Sequence, residues 1–210
     1  MIASTDFAEA SAEWALAGQV LWMAAGDEGD WGRFNNMTSR RGDEFAWQLN
    51  AAFHVQNGKG DVSDPNDEGS DAVFLLMLES SMEGDGWNFY ASGYHRETDG
   101  PSTAGIKYKD LGYVLQGGVW VSKNFEWYSR YDQVIPDNDR LVENEDFRTF
   151  STGINWYPIP HTDNIRFGVE GIYMFDAEAD SIVEPNTFNS IQASPEGDQW
   201  VIRGQGHFRW

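Results

Sequence analysis

The sequence predicts an all-β chain, a transmembrane antiparallel up-and-down β-barrel of which about nine strands are visible. Three observations lead to this prediction. Apolar and polar residues alternate with a period of two from one end of the chain to the other. The alternating segments are about twice as long as ordinary strands of ~5–6 residues. The connections between them alternate between short and long, as they do in membrane-spanning barrels.

Nine segments carry the alternation, and none shows the 3.6-residue period of an amphipathic helix. In residues 44–56, Trp47 and Leu49 share one parity, while Gln48 and Asn50 share the other. Such segments are expected to form strands with one apolar face and one polar face, long enough for a tilted crossing of a hydrocarbon layer. The predicted strands are residues 13–24, 44–56, 71–82, 86–97, 112–122, 125–133, 147–157, 164–176 and 198–210.

The connections between these strands fall into two groups. Short ones are predicted at 83–85, 123–124 and 158–163, and long ones at 57–70, 98–111, 134–146 and 177–197. Membrane barrels have short turns on the periplasmic side and longer loops outside. Most of the 34 acidic residues lie in the connections, which accounts for the net charge of −20 without making the strands acidic.

The composition excludes several classes of protein. Only 14 basic residues stand against 34 acidic ones, so a nucleic-acid partner is not expected. Cysteine is absent, which excludes disulfides and thiolate metal sites. The longest apolar run, residues 72–78, is too short for a membrane-spanning helix. Because the N-terminus lacks the features of a signal peptide, we expect that a signal has been removed or that the chain is a piece of a longer one.

Residues 25–43 do not fit the alternation of connection lengths. Their place in the strand order demands a short periplasmic turn, yet the connection is long. Two explanations remain open, namely a further short strand within these residues or a long periplasmic excursion.

Aromatic residues gather near the strand ends, as expected for the two girdles that flank the apolar band of a membrane barrel. Trp22, Trp87 and Trp156 are examples, and Trp210 is predicted to anchor the last strand at the periplasmic rim. A soluble β-sandwich also alternates and is the competing fold. Strand length, connection lengths and the aromatic strand ends together favour the barrel.

Two hairpins resemble those of the phosphate-selective porin O and P family. Residues 112–134, GYVLQGGVWVSKNFEWYSRYDQV, resemble a hairpin in which a Tyr-Val-Gln-Gly-Gly strand and a tight turn precede a strand ending in Arg-Tyr-Asp. Residues 149–176, TFSTGINWYPIPHTDNIRFGVEGIYMFD, resemble the next hairpin of the family, which has a Gly-x-Asn-Trp-Tyr strand followed by a Pro/Asn turn. The resemblance covers most of residues 44–210 and includes the aromatic C-terminus.

The resemblance implies a homotrimeric porin of the bacterial outer membrane, with about sixteen strands in the complete barrel. Residues 1–210 are therefore predicted to form one barrel domain, the C-terminal part of a longer barrel. The expected partners are outer-membrane lipid, lipopolysaccharide, and small hydrophilic solutes or ions. The lysine cluster that marks the phosphate-selective members has no counterpart here, because the four lysines lie in loops and a turn. Phosphate selectivity is therefore not implied.

The polar parity of the strands identifies the residues that are predicted to line the pore. They are Arg130, Arg166, Arg203, Arg209, His207, Glu126, Asp132 and Glu170. Charged side chains along the wall set the selectivity of a pore. Two interpretations remain open: the four arginines form a track for anions, or they pair with the acidic residues on neighbouring strands. An infolded loop is expected to narrow the pore.

The sequence therefore predicts an outer-membrane porin through which small hydrophilic solutes or ions diffuse passively. No nucleophile paired with a base, phosphate-binding loop, dinucleotide motif or metal-ligand spacing is recognisable, so no enzymatic activity, cofactor or metal is expected. One alternative is a structural or adhesive envelope barrel, with a plugged lumen and acidic loops that bind ligands. Another is a soluble carbohydrate-binding sandwich whose exposed tryptophans contact the sugar.

Overall fold

The chain forms one antiparallel sheet in which each strand pairs with its neighbours in the sequence. The computed structural model describes residues 12–27, 31–58, 72–99, 107–139, 146–159, 162, 164–175 and 198–209. The strands are β1 (Ala12–Ala25), β2 (Ala46–Gly58), β3 (Ala72–Gly84), β4 (Trp87–Asp99), β5 (Tyr108–Trp120), β6 (Phe125–Ile135), β7 (Phe147–Trp156), β8 (Ile165–Phe175) and β9 (Gln199–Phe208). The sheet is open, with β1 and β9 as its edges. This all-β up-and-down fold is the predicted one and is consistent with a segment of a β-barrel.

Eight of the nine strands begin and end within two residues of their predicted bounds. The exception is β5, which begins at Tyr108 rather than at residue 112. Tyr108 and Asp110 are buried while Lys109 is exposed, so the two-residue period extends further back than predicted. Tyr108 pairs with Thr98 of β4, and the predicted connection 98–111 shrinks to residues 100–107. Trp210 lies outside the described residues.

The connection between β3 and β4 is a tight hairpin turn of two residues. Asp85 and Gly86 both have positive φ values, +34° and +84°. Two successive left-handed residues make the tight hairpin turn that matches the twist of the flanking strands, and Asp-Gly is a preferred sequence for it. Gly84 therefore pairs directly with Trp87, and the two strands stay in register along their whole length.

The strand register divides the side chains between two faces of the sheet. Residues that pair directly across two strands lie on the same face, and neighbours along a strand lie on opposite faces. The inner face, as we name it, contains Asn50, Glu79, Asn88, Glu126 and Glu170, linked through the pairings of β2 to β8. The other face is named the outer face.

The outer face is apolar and well exposed. Its middle contains aliphatic side chains such as Leu78, Ile154 and Val169, and Val169 is 60% exposed. Aromatic side chains form a band near each end of the strands. The band at the short-turn end includes Phe45, Trp87, Phe125, Trp156, Phe167 and Phe208, and the band at the other end includes Trp14, Phe74, Phe150, Tyr173 and Trp200. Ring contacts connect neighbours within a band, as between Trp156 and Phe167 at 5.7 Å.

The connection between β1 and β2 does not form a turn. Residues 31–45 contain no strand. Over the part of this connection that the structure describes, this rules out a hidden strand, which was one of the two explanations for its length. These residues begin with a five-residue 3-10 helix, Trp31–Asn35. Residues 36–43, named the infolded segment below, then pass over the inner face at its short-turn end, where Thr38 and Arg41 contact β5.

Candidate functional site

The inner face carries the buried polar residues of the sheet. The side chains of Asn88, Glu126, Ser151, Asn155 and Glu170 are all buried. Burying a carboxylate is costly unless it accepts hydrogen bonds. Glu126 accepts hydrogen bonds from Asn88, Asn155 and the infolded segment, and Glu170 accepts them from Tyr128 and Arg203, so both buried carboxylates have donors.

Glu126 of β6 is the centre of this surface at the short-turn end. Its Oε1 accepts hydrogen bonds from the Thr38 hydroxyl at 2.8 Å and from Asn88 Nδ2 at 3.2 Å. Its Oε2 accepts from Asn155 Nδ2 at 3.0 Å and from the Tyr157 hydroxyl at 2.9 Å. Glu126 thereby joins the infolded segment to β4, to β7 and to the residue that follows β7.

A glycine makes the contact between β4 and Glu126 possible. Gly118 pairs with Asn88 in the register. A Cβ atom at Gly118 would lie 2.7 Å from Asn88 Nδ2 and 3.3 Å from Glu126 Oε1. The missing side chain leaves the space in which the amide reaches the carboxylate.

The infolded segment lies against the rings of Trp120 and Tyr157. The two rings are 4.7 Å apart between centroids. The Arg40 guanidinium lies over both of them, at 4.6 Å from the Trp120 ring and 5.3 Å from the Tyr157 ring. A guanidinium over an aromatic face is attracted by the quadrupole of the ring, and most strongly by tryptophan. Trp120 Nε1 also donates a hydrogen bond to Thr38 Oγ1 at 3.2 Å.

Backbone contacts at the β3–β4 turn complete the attachment of the segment. Arg41 Nη2 donates to the Trp120 carbonyl at 2.8 Å, and Gly42 N donates to Asp85 Oδ1 at 2.8 Å. Asp85 N donates in turn to the Asp43 carbonyl at 2.8 Å. The segment is therefore fixed both to the wall of the sheet and to the neighbouring turn.

Tyr157 is fully buried beneath the segment. Burial, and then the neighbouring Glu126 carboxylate, raises the pKa of the Tyr157 phenol to about 12, although the nearby Arg166 guanidinium acts in the opposite direction. The phenol thus remains a hydrogen-bond donor to Glu126 at physiological pH. The backbone carbonyl of Tyr157 accepts a hydrogen bond from Asn124 Nδ2 at 2.5 Å, which links Tyr157 to the β5–β6 turn.

Further from the short turns, Glu170 forms the second charged centre of the inner face. Arg203 is its direct register partner, and Arg203 Nε donates to Glu170 Oε1 at 2.7 Å. The Tyr128 hydroxyl donates to Glu170 Oε2 at 3.2 Å. Gly153 pairs with Glu170 from the other side, and a Cβ there would lie 2.8 Å from the Tyr128 hydroxyl.

Asp132 forms the third charged centre. Arg130 Nε donates to Asp132 Oδ1 at 2.9 Å, along the same strand. Thr149, its register partner on β7, donates to Asp132 Oδ2 at 2.6 Å. A fourth polar chain runs across β1 to β4, where Asn50 and Tyr90 both donate to Glu79.

Between these centres the inner face encloses a concavity of about 470 Å³. Its charged lining residues are Glu126, Arg130, Asp132, Arg166, Glu170 and Arg203. Three arginines face three carboxylates, so the formal charge of this lining is zero. Amide and hydroxyl groups line the rest together with a few apolar side chains, and Asn36 and Met37 of the infolded segment close one side.

The structure brings seven of the eight predicted pore-lining residues to the inner face. Six are the charged residues around the concavity, and His207 pairs directly with Arg166 while remaining exposed. Arg209 lies beyond the end of β9, where its backbone N–H bonds to the Asn164 carbonyl. Arg203 contacts Glu170 on the neighbouring strand, as the pairing interpretation expects, whereas Arg130 contacts Asp132 on its own strand.

Sequence reasoning missed the residues of the infolded segment and their partners. Thr38 and Arg40 lie outside any alternating pattern, and nothing in the sequence around Asn88 or Asn155 marks them as partners of this segment. The one available signal was the excess length of residues 25–43. Within the described residues, no cluster of three or more His, Cys, Asp or Glu side chains is placed to hold a metal ion. The same residues contain no helix that is long and apolar enough to cross a bilayer.

Comparison with protein-family models, with curated proteins and with solved structures gives no match for this chain.

Proposed function

We propose that the chain forms part of an outer-membrane diffusion channel, through which small hydrophilic solutes or ions pass along the inner face. The observation that supports this most directly is the division of the sheet into two faces. An apolar face flanked by two aromatic bands suits lipid, and a face built from hydrogen-bonded charges suits water. A soluble sandwich would bury the apolar face, whereas here the apolar face is exposed.

The strand dimensions support the same proposal. The strands have between 10 and 14 residues. At about 3.3 Å per residue, ten residues reach about 33 Å, which is sufficient for a tilted crossing of an apolar band about 25 Å tall. The open edges of β1 and β9 expose backbone hydrogen-bonding groups that hydrocarbon does not tolerate. The proposal therefore includes closure of the barrel by further strands, and the resemblance to trimeric porins suggests the arrangement of complete barrels.

The charge of the inner face indicates which solutes are expected to pass. Because the lining of the concavity is formally neutral and two of its arginines are paired, no single sign of charge dominates there. We expect weak ion selectivity and passage of neutral or zwitterionic hydrophilic solutes.

A plugged envelope barrel is the second candidate. The infolded segment supports it, because residues 36–43 occupy the inner face at the short-turn end and are held there by Thr38, Arg40 and Arg41. In this case the inner face is structural and no solute passes.

Planar-bilayer recording of the closed barrel that contains this chain, under a salt gradient, separates the two candidates. Discrete conductance steps with a small reversal potential are expected for the channel. Correct insertion without steps, verified by protection of the strands from added protease, would favour the plugged barrel. A chain that stays folded and monomeric without detergent or lipid would contradict both.

A further inference from the structure

The infolded segment lies over the inner face, along which a solute would pass in the proposed channel. Asn36 and Met37 line the concavity, and the following residues bind the wall next to the β3–β4 and β5–β6 turns. The segment thus lies between the concavity and the short turns that it contacts.

From this placement, and resting on the diffusion-channel function proposed above, we infer that the infolded segment is the constriction that sets the size limit for solutes. Thr38 and Arg40 are the positioning residues that hold it against the wall. Their partners come from three different parts of the sheet, which are Trp120 of β5, Glu126 of β6 and Tyr157 after β7.

Of the two positioning residues, Thr38 makes the more directional contacts, because both of them are hydrogen bonds. One hydroxyl group donates to a carboxylate and accepts from an indole N–H, so both hydrogen-bonding roles of the side chain are used. Valine has nearly the same shape as threonine but neither role. Thr38→Val therefore removes the attachment without removing bulk from the segment.

Arg40 acts through the two rings rather than as a charge directed at solutes. Its guanidinium faces Trp120 and Tyr157, and its Nη2 atom is buried without a hydrogen-bond partner. Arg40→Gln keeps a long polar side chain but loses the attraction between the cation and the rings. A second, independent variant therefore tests the same attachment.

Two substitutions on the outer face serve as matched controls. Thr152 also accepts a hydrogen bond from an indole, Trp127 Nε1 at 3.0 Å, so Thr152→Val loses a comparable contact away from the segment. Arg148 lies over the Phe175 ring at 5.7 Å, so Arg148→Gln loses a comparable cation–ring contact. Both residues belong to the outer face of β7, whereas the infolded segment covers the inner face.

The experiment is single-channel recording of the closed barrel that contains this chain, with poly(ethylene glycol) of graded size as a non-electrolyte probe of pore width. Loss of a hydrogen bond to a charged group is expected to shift the ratio of released to docked segment about tenfold or more. Thr38→Val should lengthen the time spent in a larger conductance state by about that factor, and Arg40→Gln, which loses the cation–ring attraction, by about fivefold. They should also admit larger polymers, while Thr152→Val and Arg148→Gln behave as the wild type.

The outcomes separate this inference from the proposed function. A silent wild type with conducting Thr38→Val or Arg40→Gln variants would identify the segment as a plug, and would overturn both the channel function and the size limit inferred here. Conducting wild type and variants with the same polymer limit would overturn the inference and leave the channel function standing. Silence of all five proteins after verified insertion would overturn the channel function and the inference with it.

Discussion

Thr38 and Glu126 are separated by 88 residues in the sequence, yet the Thr38 hydroxyl donates a hydrogen bond of 2.8 Å to the Glu126 carboxylate. This contact attaches a non-repetitive connection to the wall of a sheet whose strands otherwise contact only their sequence neighbours. Glu126 is only 2% exposed. The cost of burying its carboxylate is offset by hydrogen-bond donors from other parts of the chain.

Glu126→Gln is expected to lower the free energy of unfolding by about 1–3 kcal/mol, because an amide nitrogen cannot accept a hydrogen bond. Each carboxylate oxygen accepts from two donors, namely Thr38 and Asn88 on one and Asn155 and Tyr157 on the other. One pair of donors therefore loses its acceptor whichever way the amide turns. Urea unfolding of the refolded chain in micelles, followed by tryptophan fluorescence, measures the change.

Glu44→Gln is the matched control for this substitution, since Glu44 is exposed. It should change the free energy of unfolding by no more than about 0.5 kcal/mol. If Glu126→Gln and Glu44→Gln had the same effect, the four hydrogen bonds would contribute nothing to stability.

Stability should fall at alkaline pH through Tyr157. Burial first, and then the Glu126 carboxylate, raises its pKa to about 12, against ~10 in an unfolded chain. A group whose pKa is higher in the folded state binds its proton more tightly there. Its contribution to stability is complete below about pH 10 and is lost as the pH rises through about 12.

Tyr157→Phe has no phenolic proton and therefore lacks this pH dependence. Between pH 10 and pH 12 the wild type should lose about 2–3 kcal/mol more than the variant. Urea titrations of both proteins at several pH values in this range measure the difference. Parallel pH curves for the two proteins would contradict a phenol that is kept protonated by the fold.

The arginines of the inner face should influence ion selectivity. Simultaneous substitution of Arg130, Arg166, Arg203 and Arg209 by Glu removes positive charge from a lining that is formally neutral. It should therefore shift the reversal potential in a salt gradient towards cations. Arg148→Glu on the outer face is the control and should leave it unchanged. Because Arg203 pairs with Glu170, a version with Gln at the four positions guards against misfolding and should shift the potential in the same direction by a smaller amount. An unmoved potential in both versions would show that these residues do not line the conducting path.

The sequence was sufficient to predict the strands, because alternation is a local property that each strand displays by itself. Parity also identified Glu170 and Arg203 as residues of the polar face. Their direct pairing depends on the register between β8 and β9, which a sequence alone does not fix. The contacts of Thr38 and Arg41 were out of reach for another reason, since they join an aperiodic connection to strands about 80 residues away.

Two glycines on neighbouring strands are expected to respond in opposite ways to substitution by alanine. A Cβ at Gly153 would lie 2.6 Å from the Val169 carbonyl oxygen and 2.8 Å from both Glu170 Cβ and the Tyr128 hydroxyl. Gly153→Ala should therefore destabilise the fold by about 1–3 kcal/mol through overpacking. Nothing lies within 4 Å of a Cβ at Gly171, so Gly171→Ala should be neutral or stabilise by about 0.5 kcal/mol through the unfolded chain.

Urea unfolding of the two alanine variants side by side tests this expectation. Because both substitutions add the same methyl group to the β7–β8 region, a general effect on strand propensity cancels in their difference. Equal stabilities would mean that the space around Gly153 adjusts freely, and that the Tyr128–Glu170 contact does not depend on it.

The environment of the outer face can be tested with a single charge. Val169 lies in the middle of β8 on the outer face and is 60% exposed. In water, an arginine at an exposed strand position changes stability by only about 0.5 kcal/mol. In hydrocarbon, an arginine near the midplane of a barrel costs about 2–4 kcal/mol.

Val169→Arg should therefore unfold in phospholipid vesicles at distinctly lower urea concentration than the wild type. Gln205→Arg, which places the same side chain on the exposed inner face of β9, should not. Both positions are exposed in the sheet, so the difference between the two variants reports which face is in contact with lipid. If the two variants were equally stable in vesicles, the outer face would not be a membrane surface, and a soluble sheet that binds its ligand through exposed aromatic side chains would become the better explanation.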